Sequence, residues 1–302
     1  LLYGRRIMTK TAFVAIVGKP NVGKSSLLNK MLGQKIAIVS SKPQTTRTKI
    51  MGVLTKGETQ LVFTDTPGFH KAHNKLGEKM NEAVGDTVGG VDACLFLTEP
   101  RGELNEQELQ LLEMFKKQKM PVILAINKID MINDKEELFK RIVYLTSFYD
   151  FTAVVPVSAT EGDHVDELID ELDKLAFESP HFFPDDTLTD QPERVLAAEI
   201  IREKILRLMD KEIPHGIAVA VEKMRERDDK DILDIDATIY CERESHKGMV
   251  IGKKGAMLKK ISTFARQDLE NFFQIKVNLQ TWVKVKEDWR NREGLIHNFG
   301  LD

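Results

Sequence analysis

Residues 18 to 25 read Gly-Lys-Pro-Asn-Val-Gly-Lys-Ser, two glycines, a lysine and a hydroxyl at fixed spacing. Glycines let successive backbone N–H groups curl around phosphate oxygens, and a helix opening just behind them adds positive potential. At this spacing Gly18, Lys19, Pro20, Asn21, Val22 and Gly23 form a phosphate cradle, with Ser26 beside it at the helix start. Lys24 reaches the β- and γ-phosphates and Ser25 offers its hydroxyl to Mg²⁺.

Three more segments carry compatible chemistry. Asp65-Thr66-Pro67-Gly68 places a carboxylate where it holds Mg²⁺ through water, and Gly68 leaves an N–H for a γ-phosphate. Asn127-Lys128-Ile129-Asp130 and Ser158-Ala159 follow two later strands. Each alone reads as an ordinary turn. Four in this order, all beyond the carboxyl ends of strands, define a ligand crevice of an open α/β sheet. Asp130 selects the base: a carboxylate accepts from guanine's ring N–H and exocyclic amine, a donor pair adenine lacks. Asn127 and the Ala159 N–H complete guanine recognition, and the Lys128 stem packs on the base. GTP is therefore expected over ATP, which disfavours an ATP-dependent kinase.

A second glycine pair, Gly252-Lys253-Lys254-Gly255, follows the apolar Val250-Ile251 and precedes a helix that carries Lys259. Gly-x-x-Gly between two helices is the turn by which KH domains clamp the backbone of single-stranded RNA, and the two lysines supply charge. Trp282 is expected to pack, Trp289 is open between packing and base stacking, and His246 reads as a surface histidine.

The elements that must position these groups follow from periodicity. Phe13–Val17, Leu61–Thr64, Ala93–Thr98, Val122–Ile126 and Val154–Val157 are buried strands. Asn105–Gln118, Lys135–Ser147 and Val165–Phe177 are helices, giving a mostly parallel sheet covered on both faces. Lys35–Ser40 and Thr48–Leu54 add extended pieces, the second joined to Leu61–Thr64 by a hairpin at Lys56-Gly57-Glu58-Thr59. The fold expected is a P-loop NTPase domain of the small-GTPase kind over residues 9–178. A Pro- and Asp-rich linker spans 179–192. A smaller α+β domain of order helix, strand, strand, helix, helix, strand covers 193–290, and a tail covers 291–302.

The set Gly18–Ser25, Gln44-Thr45-Thr46-Arg47, Asp65–Gly68, Asn127–Asp130 and Ser158-Ala159, joined to that second domain, resembles the Era family of bacterial ribosome-assembly GTPases. The resemblance runs from about Thr11 to Trp289. It implies a type II KH domain in which Ile251, Gly252, Lys253, Lys254, Gly255 and Lys259 meet RNA and Ile261 helps line a base groove. It implies Thr46, rather than Thr45, as the Mg²⁺-ligating threonine beside Ser25 and Asp65, and Lys24, Asn21, Thr46 and Gly68 as the groups assisting hydrolysis. Where many GTPases carry a water-orienting glutamine, this chain has Phe69, so slow intrinsic turnover is expected. Asn21 is a candidate to hold K⁺ against the phosphates, and Arg47 is a candidate arginine finger weighed against a solvated side chain. The implied partners are the 3′ end of small-subunit ribosomal RNA and the small ribosomal subunit. The implied setting is the cytoplasm with peripheral contact at the inner membrane face, and the chain is expected to be monomeric.

Composition bounds these readings. The chain has 302 residues, 44 Lys+Arg against 47 Asp+Glu, and 42% hydrophobic content, as a globular protein of about two domains would. Cys94 and Cys241 match no zinc, haem or redox spacing, so no disulfide scaffold is expected. Arg5 and Arg6 precede no apolar core, so no secretory leader is expected, and Met8 is read as the native start. Near-neutral charge argues against a uniformly basic nucleic-acid binder, but Ser245–Gln267 holds six basic residues and no acid. Two other classes remain: a GTP sensor without useful turnover, kept open by Phe69, and a membrane-associated regulator.

Overall fold

The computed structural model describes residues 8–42, 44–67, 74–209 and 213–301. Gly68 and Phe69 lie outside the described residues. The chain divides into two units, one from the described parts of 1–36, 49–71 and 80–190, the other from those of 37–48, 72–79 and 191–302.

The first half of the chain runs β1 (Lys10–Gly18), α1 (Lys24–Leu32), β2 (Ile50–Lys56), β3 (Thr59–Asp65), α2 (Lys75–Gly89), β4 (Ala93–Thr98), α3 (Glu106–Gln118), β5 (Val122–Ile126), α4 (Lys135–Thr146), β6 (Ala153–Pro156), α5 (Val165–Asp173) and β7 (Phe177–Glu178). The sheet order is β2-β3-β1-β4-β5-β6, with β7 added to β1. Pairing from β3 through β6 is parallel, so the carboxyl ends of β1, β3, β4, β5 and β6 share one rim. Only β2 and β7 run antiparallel, and the β2–β3 register Lys56↔Thr59 puts Gly57-Glu58 in the expected hairpin turn. β4 and β5 are buried at every position, which is why they read as continuous apolar runs rather than alternating ones. Asn105 starts α3 with a reciprocal capping box to Glu108.

Two expectations fail here. Lys35–Ser40 joins no strand; the Val39 N–H instead donates to the Glu203 carboxylate at 2.9 Å and its carbonyl accepts from Arg207 at 3.0 Å. Residues 179–190, read as linker, are bonded to the first unit. Gln60 Oε1 accepts from the Phe182 and Phe183 N–H groups, Leu188 O accepts from Val53, and Phe182 packs edge-on against Phe13 at 5.1 Å. Proline-rich composition marked the absence of regular structure, not the absence of contact.

The second unit is built from α6 (Glu193–Leu208), β8 (Ile217–Arg227), β9 (Lys230–Cys241), α7 (Glu244–Ile251), α8 (Ala256–Phe273), β10 (Lys276–Val285) and α9 (Glu293–Asn298). Its sheet order is β10-β9-β8, antiparallel between β8 and β9 and parallel between β9 and β10. Ile201 and Ile205 of α6, Ile235 and Ala237 of β9, and Ile261, Ala265 and Leu269 of α8 close one core. Ile261 is therefore core and lines no groove. His246 is buried rather than on the surface, close enough to Gly216 that a Cβ there would sit 3.5 Å from its ring. The two cysteines are free and buried.

Candidate functional site

The phosphate loop leaves β1 and enters α1 with no room for larger residues. A Cβ on Gly18 would lie 2.4 Å from Leu97 O, and one on Gly23, at φ 104, would lie 2.2 Å from Asn127 Nδ2. Lys24 is buried and donates to the Gly18 and Lys19 carbonyls at 3.1 and 3.0 Å. Burial, partly offset by the charge of Asp65, lowers its pKa to about 8. Ser25 Oγ donates to Asp65 Oδ2 at 2.6 Å, and Thr66 Oγ1 anchors the same loop to Ile16 O at 2.9 Å. A hydroxyl and a carboxylate meeting at the cradle are hard oxygen donors of the kind Mg²⁺ takes alongside water and phosphate.

The loops after β5 and β6 are tied to that cradle. Asn127 Nδ2 donates to Val22 O at 2.8 Å, and its Oδ1 accepts the Ala159 N–H at 3.0 Å. Ala159 thus braces Asn127, and its N–H is already engaged rather than waiting for a base. Asp130 is exposed, with one oxygen held by Ser158 Oγ at 2.6 Å. Lys128 spans the site, its ammonium donating to Asn21 O at 2.9 Å and Glu99 Oε1 at 2.6 Å.

Glu99 escaped the sequence reading. It sits just after β4, the one strand end of the rim left unassigned, and pairs with both Lys19 and Lys128. Against the upward pull of partial burial, hydrogen bonds and charge from the two lysines hold its carboxyl below the usual range. Its position on the rim was the available signal; a single glutamate carries no spacing pattern.

Thr46 falls in the other unit. Ala37–Thr48 belongs to the second unit, where Thr46 is 7% exposed. Arg202 of α6 donates to Thr45 O, and Arg207 to Val39 O at 3.0 Å. Arg47 is neither solvated nor a free finger. Its guanidinium donates to Ile217 O at 2.6 Å and His215 O at 3.0 Å and lies 5.6 Å from the Trp289 ring centre. Burial, then the nearby charge of Arg202, lowers its pKa.

In the second unit Gly252 (φ 72) ends α7 and Gly255 (φ 77) precedes α8. Lys253, Lys254 and Lys259 are exposed and Ile251 is half-buried. Trp282, expected to pack, does not, and Trp289, left open between packing and stacking, packs. Trp289 is fully buried, with Nε1 donating to Gly216 O at 3.0 Å, whereas Trp282 is 45% exposed.

Comparisons with known proteins agree with this division. A family profile described as "50S ribosome-binding GTPase" matches residues 13–128, and one described as "KH domain" matches residues 212–290. GTPase Era of Clostridioides difficile (strain 630) is 50% identical over 295 residues, covering 98% of this chain and 99% of that protein. GTPase Era of Caldanaerobacter subterraneus subsp. tengcongensis is 47% identical over 291 residues, covering 96% and 97%. Among solved structures, an Aquifex aeolicus Era variant bound to GDP and AlF4⁻ matches with a TM-score of 0.93 and 39% identity, covering 97% of this chain and 99% of that one. Era in complex with MgGDPNP and nucleotides 1506–1542 of 16S ribosomal RNA matches with the same score, identity and coverage.

Proposed function

The chain belongs to the Era family of GTPases, and from that membership we propose that it couples GTP hydrolysis to its hold on the 3′ end of small-subunit ribosomal RNA during assembly of that subunit. The observation carrying the nucleotide assignment is the pair of hydrogen bonds by which the Asn127 amide donates to Val22 O and accepts from the Ala159 N–H. It makes the phosphate cradle and the base loops one scaffold, with the exposed Asp130 carboxylate presented for guanine and steadied by Ser158.

In this reading the Lys24 ammonium leaves the Gly18 and Lys19 carbonyls for the β- and γ-phosphate oxygens, which raise its pKa again. Ser25, and Asp65 through water, hold Mg²⁺, whose charge offsets that developing on the phosphates. Thr46 adds its hydroxyl when the γ-phosphate is bound, and Gly68 its N–H. Phe69 gives the attacking water no hydrogen bond, so unassisted turnover is slow. Lys253, Lys254 and Lys259 meet RNA phosphates, and Ile251 borders the bases. The cytoplasm, where the ribosomal partner resides, is the proposed location. No described helix is long and apolar enough to cross a membrane. Peripheral contact with the inner membrane face rests on the family resemblance, and flotation with anionic vesicles tests it.

Asp130→Asn should weaken GTP binding and improve binding of xanthosine triphosphate, whose 2-oxo group presents an acceptor where guanine has its exocyclic amine donor. Equal GTP affinity in the variant would remove the base assignment. Phosphate release with and without small subunits separates a hydrolysing switch from a sensor: stimulation supports the switch, and no turnover in either condition supports the sensor.

A further inference from the structure

β4 lies between the strand that feeds the phosphate loop and the strand that feeds the base loop. Its registers Gly18↔Leu97 with β1 and Thr98↔Ile126 with β5 bring the three carboxyl ends level. Glu99 is the first residue past that end, so its side chain starts between the two loops. The turn that carries it is fixed from behind. Arg141 of α4 is buried and donates through Nε to Glu99 O at 3.0 Å, through Nη2 to Thr98 Oγ1 at 2.8 Å and through Nη1 to Gly102 O. The Asn127 N–H donates to Thr98 O at 2.9 Å, which ties the same turn to the start of the base loop.

From this mount the carboxylate spends its two oxygens on two different loops. Oε2 pairs with Lys19 Nζ of the phosphate loop, and Oε1 with Lys128 Nζ of the base loop at 2.6 Å. The Lys128 ammonium also donates to Asn21 O at 2.9 Å. The Lys128 backbone is left-handed, at φ 68, a conformation uncommon for a residue with a side chain. Both ends of this lysine are therefore constrained, the main chain by its turn and the ammonium by Glu99 and Asn21 O. A four-carbon stem held at one end only would sample many rotamers. A carboxylate offers phosphate oxygens no proton and repels their charge, so Glu99 acts on a nucleotide through the lysines it holds. Ion pairs this exposed, with side chains 27–32% accessible, contribute little to fold stability. The effect to look for is on the nucleotide.

We propose that Glu99 is a positioning residue of the nucleotide site: by holding the Lys128 ammonium beside Asn21 O, it lays the Lys128 stem where it packs on the guanine base and slows departure of the nucleotide. The proposal rests on the reading of Lys128 as the base-packing lysine given above. The bond to Lys19 braces the carboxylate from the phosphate-loop side.

Dissociation of N-methylanthraniloyl-GDP from the full chain with Mg²⁺ is timed after a chase of excess unlabelled GDP. Glu99→Ala should speed it about fivefold, the factor for one partly exposed ion pair. Glu99→Gln, which keeps the shape and one acceptor, should fall between that variant and the wild type. Two mutant cycles separate positioning from simple bracing of the fold, because groups that act through one another are not additive. In a Lys128→Met background Glu99→Ala should have no further effect, and in a Lys19→Met background its acceleration should persist. Equal dissociation from wild type and Glu99→Ala would overturn the proposal. So would an undiminished acceleration in Lys128→Met, which with a lower melting temperature of the nucleotide-free protein is what a merely structural carboxylate gives. Loss of the acceleration in Lys19→Met alone would assign the effect to the phosphate loop and overturn it as well. If Glu99→Ala does not fold, Glu99→Gln in the same cycles decides. Lys128→Met that releases nucleotide no faster than the wild type would overturn the base-packing reading of Lys128 itself, a different result from a Lys128 that matters and a Glu99 that does not.

Discussion

The chain holds two glycine-and-lysine turns, Gly18–Ser25 and Gly252–Gly255, and they solve opposite problems. In the first, Lys24 is buried, satisfied by two carbonyls and lowered to a pKa of about 8, and neither Gly18 nor Gly23 has space for a Cβ. In the second, both lysines are exposed, and although a Cβ on Gly252 would lie 2.7 Å from Met257 Cβ, one on Gly255 would meet nothing within 4 Å. A buried, preorganised lysine suits one compact and highly charged ligand that must sit in one place. Solvated lysines on an open turn suit a polymer whose charge repeats and whose register is set elsewhere. The same residue types therefore carry different energies, and substitutions should separate the two sites by size and by salt dependence.

The largest effect is expected at Lys24. Lys24→Ala removes charge-assisted bonds worth about 3 kcal/mol, so GTP affinity measured by calorimetry should fall at least about 100-fold. RNA binding in the absence of nucleotide should not change.

The pH response of the same lysine comes next. Above pH 8 Lys24 is neutral in the empty site and must take up a proton to meet phosphate, so GTP affinity should fall as pH rises, approaching tenfold per unit. The stability of the empty protein should move oppositely. Its lysine pKa lies below the ordinary value of about 10.4, so the cost of burying the charge is relieved as pH rises from 8. Calorimetry and thermal melts across pH 7 to pH 9.5 check both directions.

At the second turn, Lys253→Glu with Lys254→Glu should weaken RNA binding several-fold at low salt and leave GTP binding intact. The slope of log affinity against log salt should fall by about 1.4, the value for two lost single-strand phosphate contacts. The smallest effect is expected at Asn21, where replacing Na⁺ by K⁺ should raise turnover if this residue helps hold the cation. Equal rates in the two salts would remove Asn21 from the catalytic set.

What the sequence disclosed follows the same contrast. Local spacing exposed the phosphate cradle, the base loops and the Gly252–Gly255 turn, because each needs neighbouring residues of fixed type. The parallel sheet was legible because β4 and β5 are buried on both sides. Features set by distant partners were not. Lys35–Ser40 has strand-like composition, yet its Val39 main-chain groups are taken by Glu203 and Arg207, 164 and 168 residues away. Arg47 looked like a loop cation and is bonded to carbonyls near position 216. Trp282 was misread although its phase was visible: it shares the phase of Gln280 and Lys284, not that of Val277 and Leu279. Trp289 lies beyond the strand, so no periodicity could have placed it in the core.

The contrast between the two turns is tested most directly by measuring GTP and RNA affinities side by side in Lys24→Ala and in the Lys253→Glu, Lys254→Glu double variant. The expected result is a crossed pattern, with GTP affinity lost only in the first and RNA affinity lost only in the second when RNA is titrated without nucleotide. Loss of both affinities from either protein, or an RNA affinity untouched by reversing both lysines, would contradict the assignment of one turn to each ligand.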